Sequence, residues 1–298
     1  FLILATSLGN KFVSDDLSAI KFNPDIGSWN LVTHRLIGLV QNFGYFLIAN
    51  VFGVIPWPFR MLNILLHLTT ATLLYKIVRK FYAFPVAMMS FAFYVITPVI
   101  TEPVILISGM PYVLSGVLAM ACIYLHLDEE RTWYKNFLEI LFWSMALITS
   151  EKYIFVPVLL VWWDWYKGRT NKTGWVLAML MGASLLRGLE LLSIMGERVA
   201  SLETSYYSNQ TGRENPIYKV LVAVGNYFVL YFWPRALTLY HSEVNFGWNY
   251  LMRYGSVTLG FGFWIWFLRN KVKDLWFWVI FMFVTIIPVL LPFGVSSL

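Results

Sequence analysis

Three short stretches bring carboxylates to the edges of apolar runs. Asp15 and Asp16 lie in Phe12-Val13-Ser14-Asp15-Asp16-Leu17-Ser18-Ala19-Ile20, Glu102 in Thr97-Pro98-Val99-Ile100-Thr101-Glu102-Pro103, and Glu151 in Thr149-Ser150-Glu151-Lys152-Tyr153. A carboxylate beside lipid is costly enough to need a partner or a task. Two adjacent carboxylates repel, and that repulsion is relieved when one of them takes up a proton, which suits general-base chemistry. The same pair also reads as a helix N-cap, with Ser14 or Asp15 capping a short helix that starts near Leu17. Glu102 reads equally as a hydrated acid at a membrane boundary, and Glu151 as the ion-pair partner of Lys152 or another base.

Basic residues accompany these acids: Arg35, Arg60, Lys152, Arg187, Arg213, Lys219 and Arg235. Arginine holds phosphate through paired, charge-assisted bonds, and a phosphate carried on a lipid needs such a partner at the boundary. Headgroup contact and snorkelling explain any single one of them as well. Among the four histidines, His67 sits inside the apolar run Asn63-Ile64-Leu65-Leu66-His67, where it either bridges helices or touches a ligand. His34 and His241 have the features of solvated residues. The histidines show no paired spacing, so a zinc site is not expected. Any metal would have to be a divalent ion at Asp15 and Asp16.

The elements that must position these residues follow from composition. Of 298 residues, 59% are hydrophobic, 18% aromatic and only 13% charged, and the mean hydropathy is +0.65. A soluble domain carries about 25% charged residues, so half that charge cannot cover a water-facing surface. The expected fold class is an all-α polytopic membrane protein. Continuous apolar runs exclude the alternation of a membrane β-barrel, and the composition excludes a cytosolic enzyme, a secreted disulfide scaffold and a nucleic-acid-binding domain. One cysteine, Cys122, leaves no disulfide and no cysteine-based metal site.

A crossing helix needs about 20 mainly apolar residues. Candidates lie near 59–79, 83–100, 104–127, 137–150, 152–166, 173–194, 250–268 and 275–292, with residues 1–9 as the tail of a first span: about nine in one domain. The chain begins without Met and stops on Ser297-Leu298, so both termini are expected to be truncated. The net charge of +6 is a topology signal. The clusters Lys76/Arg79/Lys80, Lys167/Arg169/Lys172 and Arg269/Lys271/Lys273 all fall on the cytoplasmic side only if 217–240 does not cross. Interrupted by Pro234-Arg235, that stretch is expected to be re-entrant or interfacial within an outer segment 195–249. The loop at 128–136, with Asp128, Glu129 and Glu130 beside Arg131 and Lys135, is expected on the cytoplasmic side too. The outer face then collects the loop 10–58, the turns 101–111 and 150–152, and the acids with them. Loop 10–58, with Trp29-Asn30 and Asn42-Phe43-Gly44-Tyr45, suits interfacial helices.

No repeat, phosphate loop, dinucleotide fingerprint or nucleophile elbow is visible. Asn209-Gln210-Thr211 and Asn171-Lys172-Thr173 match the short glycosylation pattern on the expected outer and inner sides.

The acidic stretch 12–20 resembles the first-loop motif of membrane O-mannosyltransferases of the transmembrane and tetratricopeptide-repeat type and of their prokaryotic relatives. Further stretches follow in that family's order. Pro58-Phe59-Arg60-Met61-Leu62-Asn63-Ile64-Leu65-Leu66-His67 is similar to its second span. Thr97-Pro98 through Thr101-Glu102-Pro103-Val104 and Ile107-Ser108-Gly109 is similar to its His-Pro-x-x-Thr-Glu-x-Val and Ser-Gly signature. Ser150-Glu151, with Pro157 after it, resembles its Lys-Glu hairpin. Departures are Thr97 for His, Ser150 for Lys, and Met110-Pro111-Tyr112 where charges often follow Ser-Gly. No tetratricopeptide repeat is present.

The resemblance implies the GT-C transmembrane fold and an inverting transferase that moves a sugar, mannose foremost, from a polyprenyl-phosphate donor. The acceptor hydroxyl would belong to a protein, lipid or glycan, at the outer or lumenal face of a prokaryotic plasma membrane or the endoplasmic reticulum. It implies Asp15, Asp16 and Glu102 as catalytic residues, and Glu151, Arg60, Lys152, Arg235 and His67 as substrate-binding ones. A transporter or channel using the acids as cation or proton sites, and a non-catalytic membrane subunit, are the alternatives.

Overall fold

The computed structural model describes residues 2–34, 36–205, 216–232, 248–272 and 274–290. Among them no strand forms. The helices are α1 (Leu2–Ala5), α2 (Trp29–Thr33), α3 (Leu39–Phe52), α4 (Pro56–Phe81), α5 (Phe84–Ile96), α6 (Pro98–Ile105), α7 (Met110–His126), α8 (Trp133–Thr149), α9 (Val156–Lys167), α10 (Thr170–Ser205), α11 (Pro216–Phe232), α12 (Trp248–Leu268) and α13 (Leu275–Leu290). The chain forms two compact units, Phe1–Ser184 and Leu185–Leu298.

Proline sets most of the starts. α4, α5, α6, α7 and α9 each carry one in the first two positions. There its fixed φ suits the helix and its missing N–H is not needed. This is why the run expected to cross at 83–100 divides at Thr97-Pro98. It is also why the run expected at 104–127 begins its α-helix only at Met110, after a 3₁₀ turn over Ile107–Gly109. Arg79 and Lys80 close the last turn of α4, opposite in sign to the helix C-terminus.

Among the described residues, three segments are long and apolar enough to cross a bilayer: Pro56–Phe81, Ile107–His126 and Thr173–Ile194. Leu39–Phe52, Phe84–Ile96 and Leu275–Ile287 are apolar but shorter. With 14 residues, α3 is about 21 Å long. It carries no charged residue, and Phe43, Leu47, Val51 and Phe52 are exposed along it. Trp29 of α2 stacks on Phe43 and lies 4.8 Å from Phe46, ring centroid to ring centroid. Two asparagines tie α3 to the segment before it: Asn42 Nδ2 donates to the Leu31 carbonyl, and Asn50 Nδ2 to that of Gly27.

In the first unit α4 packs against α5 and α7, and α7 against α8. Ile20, Ile26, Tyr45, Phe59, Ile107 and Met110 form one buried cluster that seats residues 17–26 on α3 and on the starts of α4 and α7. Leu4, Ile64, Val104 and Val113 form a second cluster. In the second unit α11 packs on α12, where Gly225 meets the Tyr254 backbone so closely that a Cβ would lie 2.0 Å from its carbonyl oxygen. Of the stretch 217–240, residues up to Phe232 continue α11; Pro234 and Arg235 lie outside the described residues.

Candidate functional site

The first unit buries charge at two places, near the two ends of α7. At the start of α7 lies Asp16, fully buried, with Oδ1 accepting the Ser108 amide at 2.8 Å. Its Oδ2 lies 3.7 Å from Arg60 Nη2, and both side chains are inaccessible. Arg60 is occupied elsewhere: Nε donates to the Ile105 carbonyl at 3.0 Å, Nη2 to that of Lys11 at 2.6 Å, and Nη1 to that of Asn10. One turn on, Asn63 Nδ2 donates to the Leu106 carbonyl, and the Tyr45 hydroxyl donates to that of Ile107. The structure thus brings together the acidic stretch, the start of α4 and the Ser-Gly turn.

The turn has no slack. A Cβ on Gly109 would lie 2.2 Å from the Pro103 carbonyl oxygen and 2.7 Å from its Cα. Only glycine lets the turn approach α6 this closely and present the Ser108 amide to Asp16.

The adjacent acids therefore part company. Asp15 is exposed while Asp16 is buried. Ser14 adopts φ 49°, a left-handed backbone that turns the chain between Val13 and Asp15. The alternative reading as a helix cap is not what forms, because no side chain caps the π-helical turn Leu17–Lys21. Among the described residues no three His, Cys, Asp or Glu side chains converge as a metal site.

The turn between α8 and α9 comes to the same end. Glu151 opens a 3₁₀ turn, and the Lys152 ammonium lies 3.6 Å from the centre of the Tyr112 ring in the first turn of α7. Glu151 and Asp15 are both close enough for their charges to act on the Tyr112 phenol. Burial lowers the pKa of Lys152, with Glu151 opposing the shift. The hairpin can seat itself because α7 has no side chain at Gly116, where a Cβ would lie 3.2 Å from the Tyr153 hydroxyl oxygen.

The other residues singled out in the sequence stand apart. Glu102 is exposed on α6, and no described contact joins it to Asp16. Arg60, expected to hold phosphate, is instead enclosed by three carbonyls and Asp16 and has no surface to offer. His67 is buried within α4, stacked 4.8 Å from Tyr94 and hydrogen-bonded to the Val95 backbone; this is the bridge between helices that the sequence offered as one of two roles. Arg187 pairs with Glu190 at 2.6 Å. Arg35, Arg213, Arg235 and His241 lie outside the described residues.

At the far end of α7 is a cluster that the sequence reading passed over. His126 Nδ1 lies 2.6 Å from Glu139 Oε1 and Nε2 3.2 Å from Asp164 Oδ2, with all three side chains fully buried. Arg131 closes on Glu139 at 2.8 Å, an ion pair whose N–H axis is not aligned on the oxygen. Arg169 pairs with Asp164 at 3.2 Å and donates to the His126 carbonyl, and Thr173 donates to Asp164. These contacts join α7, α8, α9 and α10. Acids inside the apolar runs at Phe137-Leu138-Glu139-Ile140 and Trp162-Trp163-Asp164-Trp165 were the available signal, by the same cost that drew attention to Asp15 and Glu151.

No model of a known protein family, no curated protein and no solved structure matches this chain.

Proposed function

We propose that the chain is an inverting membrane glycosyltransferase of the GT-C kind. In this reading it moves a sugar, mannose foremost, from a polyprenyl-phosphate donor to a hydroxyl acceptor on a protein, lipid or glycan at the outer or lumenal face. The observation that carries the reading is the division within the acidic pair: Asp16 is locked to Ser108 and Arg60, while its neighbour Asp15 is exposed and its charge acts on Tyr112, the ring that the Lys152 ammonium faces. A base needs a fixed backbone and a free carboxylate, and a lipid phosphate needs a cation.

The acceptor oxygen attacks the anomeric carbon while its proton passes to Asp15. The bond from that carbon to the phosphate oxygen breaks with its electron pair, inverting the centre, and polyprenyl phosphate leaves with its negative charge facing Lys152. Asp16 and Arg60 are positioning residues that hold the loop. Glu151 sets the local field beside Lys152, and Glu102 is assigned to sugar hydroxyls. No step is routed through a metal. The remaining spans of the expected nine, and the face of the membrane, belong to this proposal.

The test is transfer from radiolabelled polyprenyl phosphates of mannose, glucose, galactose and N-acetylglucosamine in membranes holding the full chain, with protein, lipid and glycan acceptors. Transfer by the wild type that falls by about 10²–10⁴-fold in Asp15→Asn is the expected result, the range general-base catalysis supplies. Folded wild-type protein that transfers none of them would overturn it in favour of a transporter, a channel or a non-catalytic subunit.

A further inference from the structure

Residues 23–42 frame a cleft that none of Asp15, Tyr112 and Lys152 lines. It consists of two adjoining hollows, of about 260 and 290 Å³, that share Asp25, Asn30 and His34. Ligand sites run from about 300 to 1,000 Å³, so this one suits a ligand the size of a single sugar ring.

The frame is tied down from several sides. Ile26 anchors the segment before α2 in the buried cluster, and Val32 is buried on α2 itself. Asn42 Nδ2 donates to the Leu31 carbonyl at 3.0 Å, which ties α3 to α2. The Gly38 amide donates to the Ile148 carbonyl at 2.7 Å, which ties the turn between them to the end of α8. Gly38 makes that turn with φ 85°, a left-handed backbone that glycine adopts without strain. On this frame Asn30, Thr33 and His34 lie three and four residues apart, on one face of α2 and its C-cap. All three are exposed.

The polar groups of the cleft are mixed in kind. Asp25 Oδ1 meets the Ser28 hydroxyl at 3.4 Å, which leaves Oδ2 as an acceptor. The Nδ2 bond of Asn42 leaves its Oδ1 as a second. The Asn30 carboxamide both donates and accepts, as does a neutral His34 ring. A phosphate only accepts; it would meet the Asp25 carboxylate and find no lysine or arginine among the described lining residues. An ammonium only donates, and would leave the Asn30 N–H groups unused. A hydroxyl does both. Several hydroxyls on one ring would satisfy the set, with Ile37 as an apolar wall against the ring's C–H face.

We propose that this cleft binds a sugar ring, at a site distinct from Asp15. The chemistry of the lining carries the proposal whether or not the chain transfers sugar.

The experiment is saturation-transfer-difference NMR on the full chain in lipid nanodiscs, with empty nanodiscs as the blank. The probes are the methyl glycosides of mannose, glucose, galactose and N-acetylglucosamine. Saturation should pass to the ring protons of at least one of them. Its Kd should rise at least about 5-fold in Asn30→Ala/His34→Ala, since each hydrogen bond supplies about 2- to 12-fold. Both side chains are exposed, so the unfolding midpoint should stay at that of the wild type. Asp25→Asn, which keeps the shape and removes the charge, should weaken the same sugar. No transfer above the blank for all four probes, or a Kd unchanged in the double variant and in Asp25→Asn, would overturn the cleft. Binding lost in Asp15→Asn but kept in the cleft variants would place the sugar at Asp15 and overturn it too. Cleft-dependent binding by a protein that transfers no sugar would uphold the cleft and sink the transferase reading.

Discussion

The two buried charge clusters of the first unit use the same residue types to different ends. Around His126, two carboxylates, an imidazole and a threonine hydroxyl drawn from α7, α8, α9 and α10 meet two arginines from the loops that follow α7 and α9. Around Asp16, one arginine gives its donors to the carbonyls of Asn10, Lys11 and Ile105, and the carboxylate takes the Ser108 amide. The first cluster closes four helices on one another. The second fixes a loop, with Asp16 buried and Asp15 left exposed. A cluster that joins helices is a clasp; a fixed loop that turns one acid outward leaves that acid available to a ligand.

Substitutions test how far that contrast holds. The largest effect is expected from Asp164→Ala, which leaves the buried His126 without one of its two carboxylates and Arg169 without its counter-charge. Breaking a buried network by removing one partner costs about 3–5 kcal/mol, so thermal unfolding in detergent should show a large loss of stability. A midpoint near that of the wild type would remove the clasp from the account.

Next comes Lys152→Met, which leaves the turn but removes the charge over Tyr112. A hydrogen bond to a charged group is worth about 1.5–3 kcal/mol, hence an increase of about 10–100-fold in the KM for donor. The pH profile sharpens this. Burial lowers the pKa of Lys152, so as pH rises its charge is lost below the ordinary lysine value of about 10.4. Donor KM should therefore climb on an alkaline limb that Lys152→Arg moves upward. A limb unmoved in Lys152→Arg would count against this lysine.

Gly109→Ala should cost about 1–3 kcal/mol, the range for overpacking, because its Cβ would fall on the Pro103 backbone. The shift would draw the Ser108 amide from Asp16, so activity should fall even at temperatures where the protein stays folded. Retained activity would show that this amide is not what holds Asp16.

The smallest effect belongs to Asp128→Asn. The Lys135 ammonium hydrogen-bonds Asp128 at 2.8 Å and holds its carboxyl below the usual range. With a lowered acid pKa, the contribution is present above the ordinary carboxylate value and lost as pH falls through the lowered one. Both partners are accessible to solvent, so the unfolding midpoint at neutral pH should not change measurably. A large drop would make this surface pair part of the clasp.

Much of this was legible in the chain. Composition carried the all-helical class, but the spans expected at 83–100 and 104–127 ran through Pro98 and Pro111, which instead stand at the starts of α6 and α7. Asp15, Asp16 and the Ile107-Ser108-Gly109 stretch were visible as candidates, and the structure joins Asp16 to Ser108. Their separate roles were not visible, because adjacent acids look alike until the backbone at Ser14 turns one out and one in. Arg60 looked like a phosphate ligand for a similar reason: its neighbours in space, Asn10, Lys11 and Ile105, are distant in sequence. The clasp was missed because His126, Glu139 and Asp164 are lone polar residues in three separate apolar runs, and only packing makes them one group.

The most direct test sets Asp15→Asn beside Asp16→Asn, with transfer from the polyprenyl-phosphate sugar and thermal unfolding measured on both. Predicted is a split: Asp15→Asn unfolds with the wild type and loses transfer by about 10²–10⁴-fold. Asp16→Asn is destabilised, since it leaves Arg60 buried without its counter-charge. Full transfer by Asp15→Asn, or an Asp16→Asn protein as stable as the wild type, would contradict the division of labour on which the account rests.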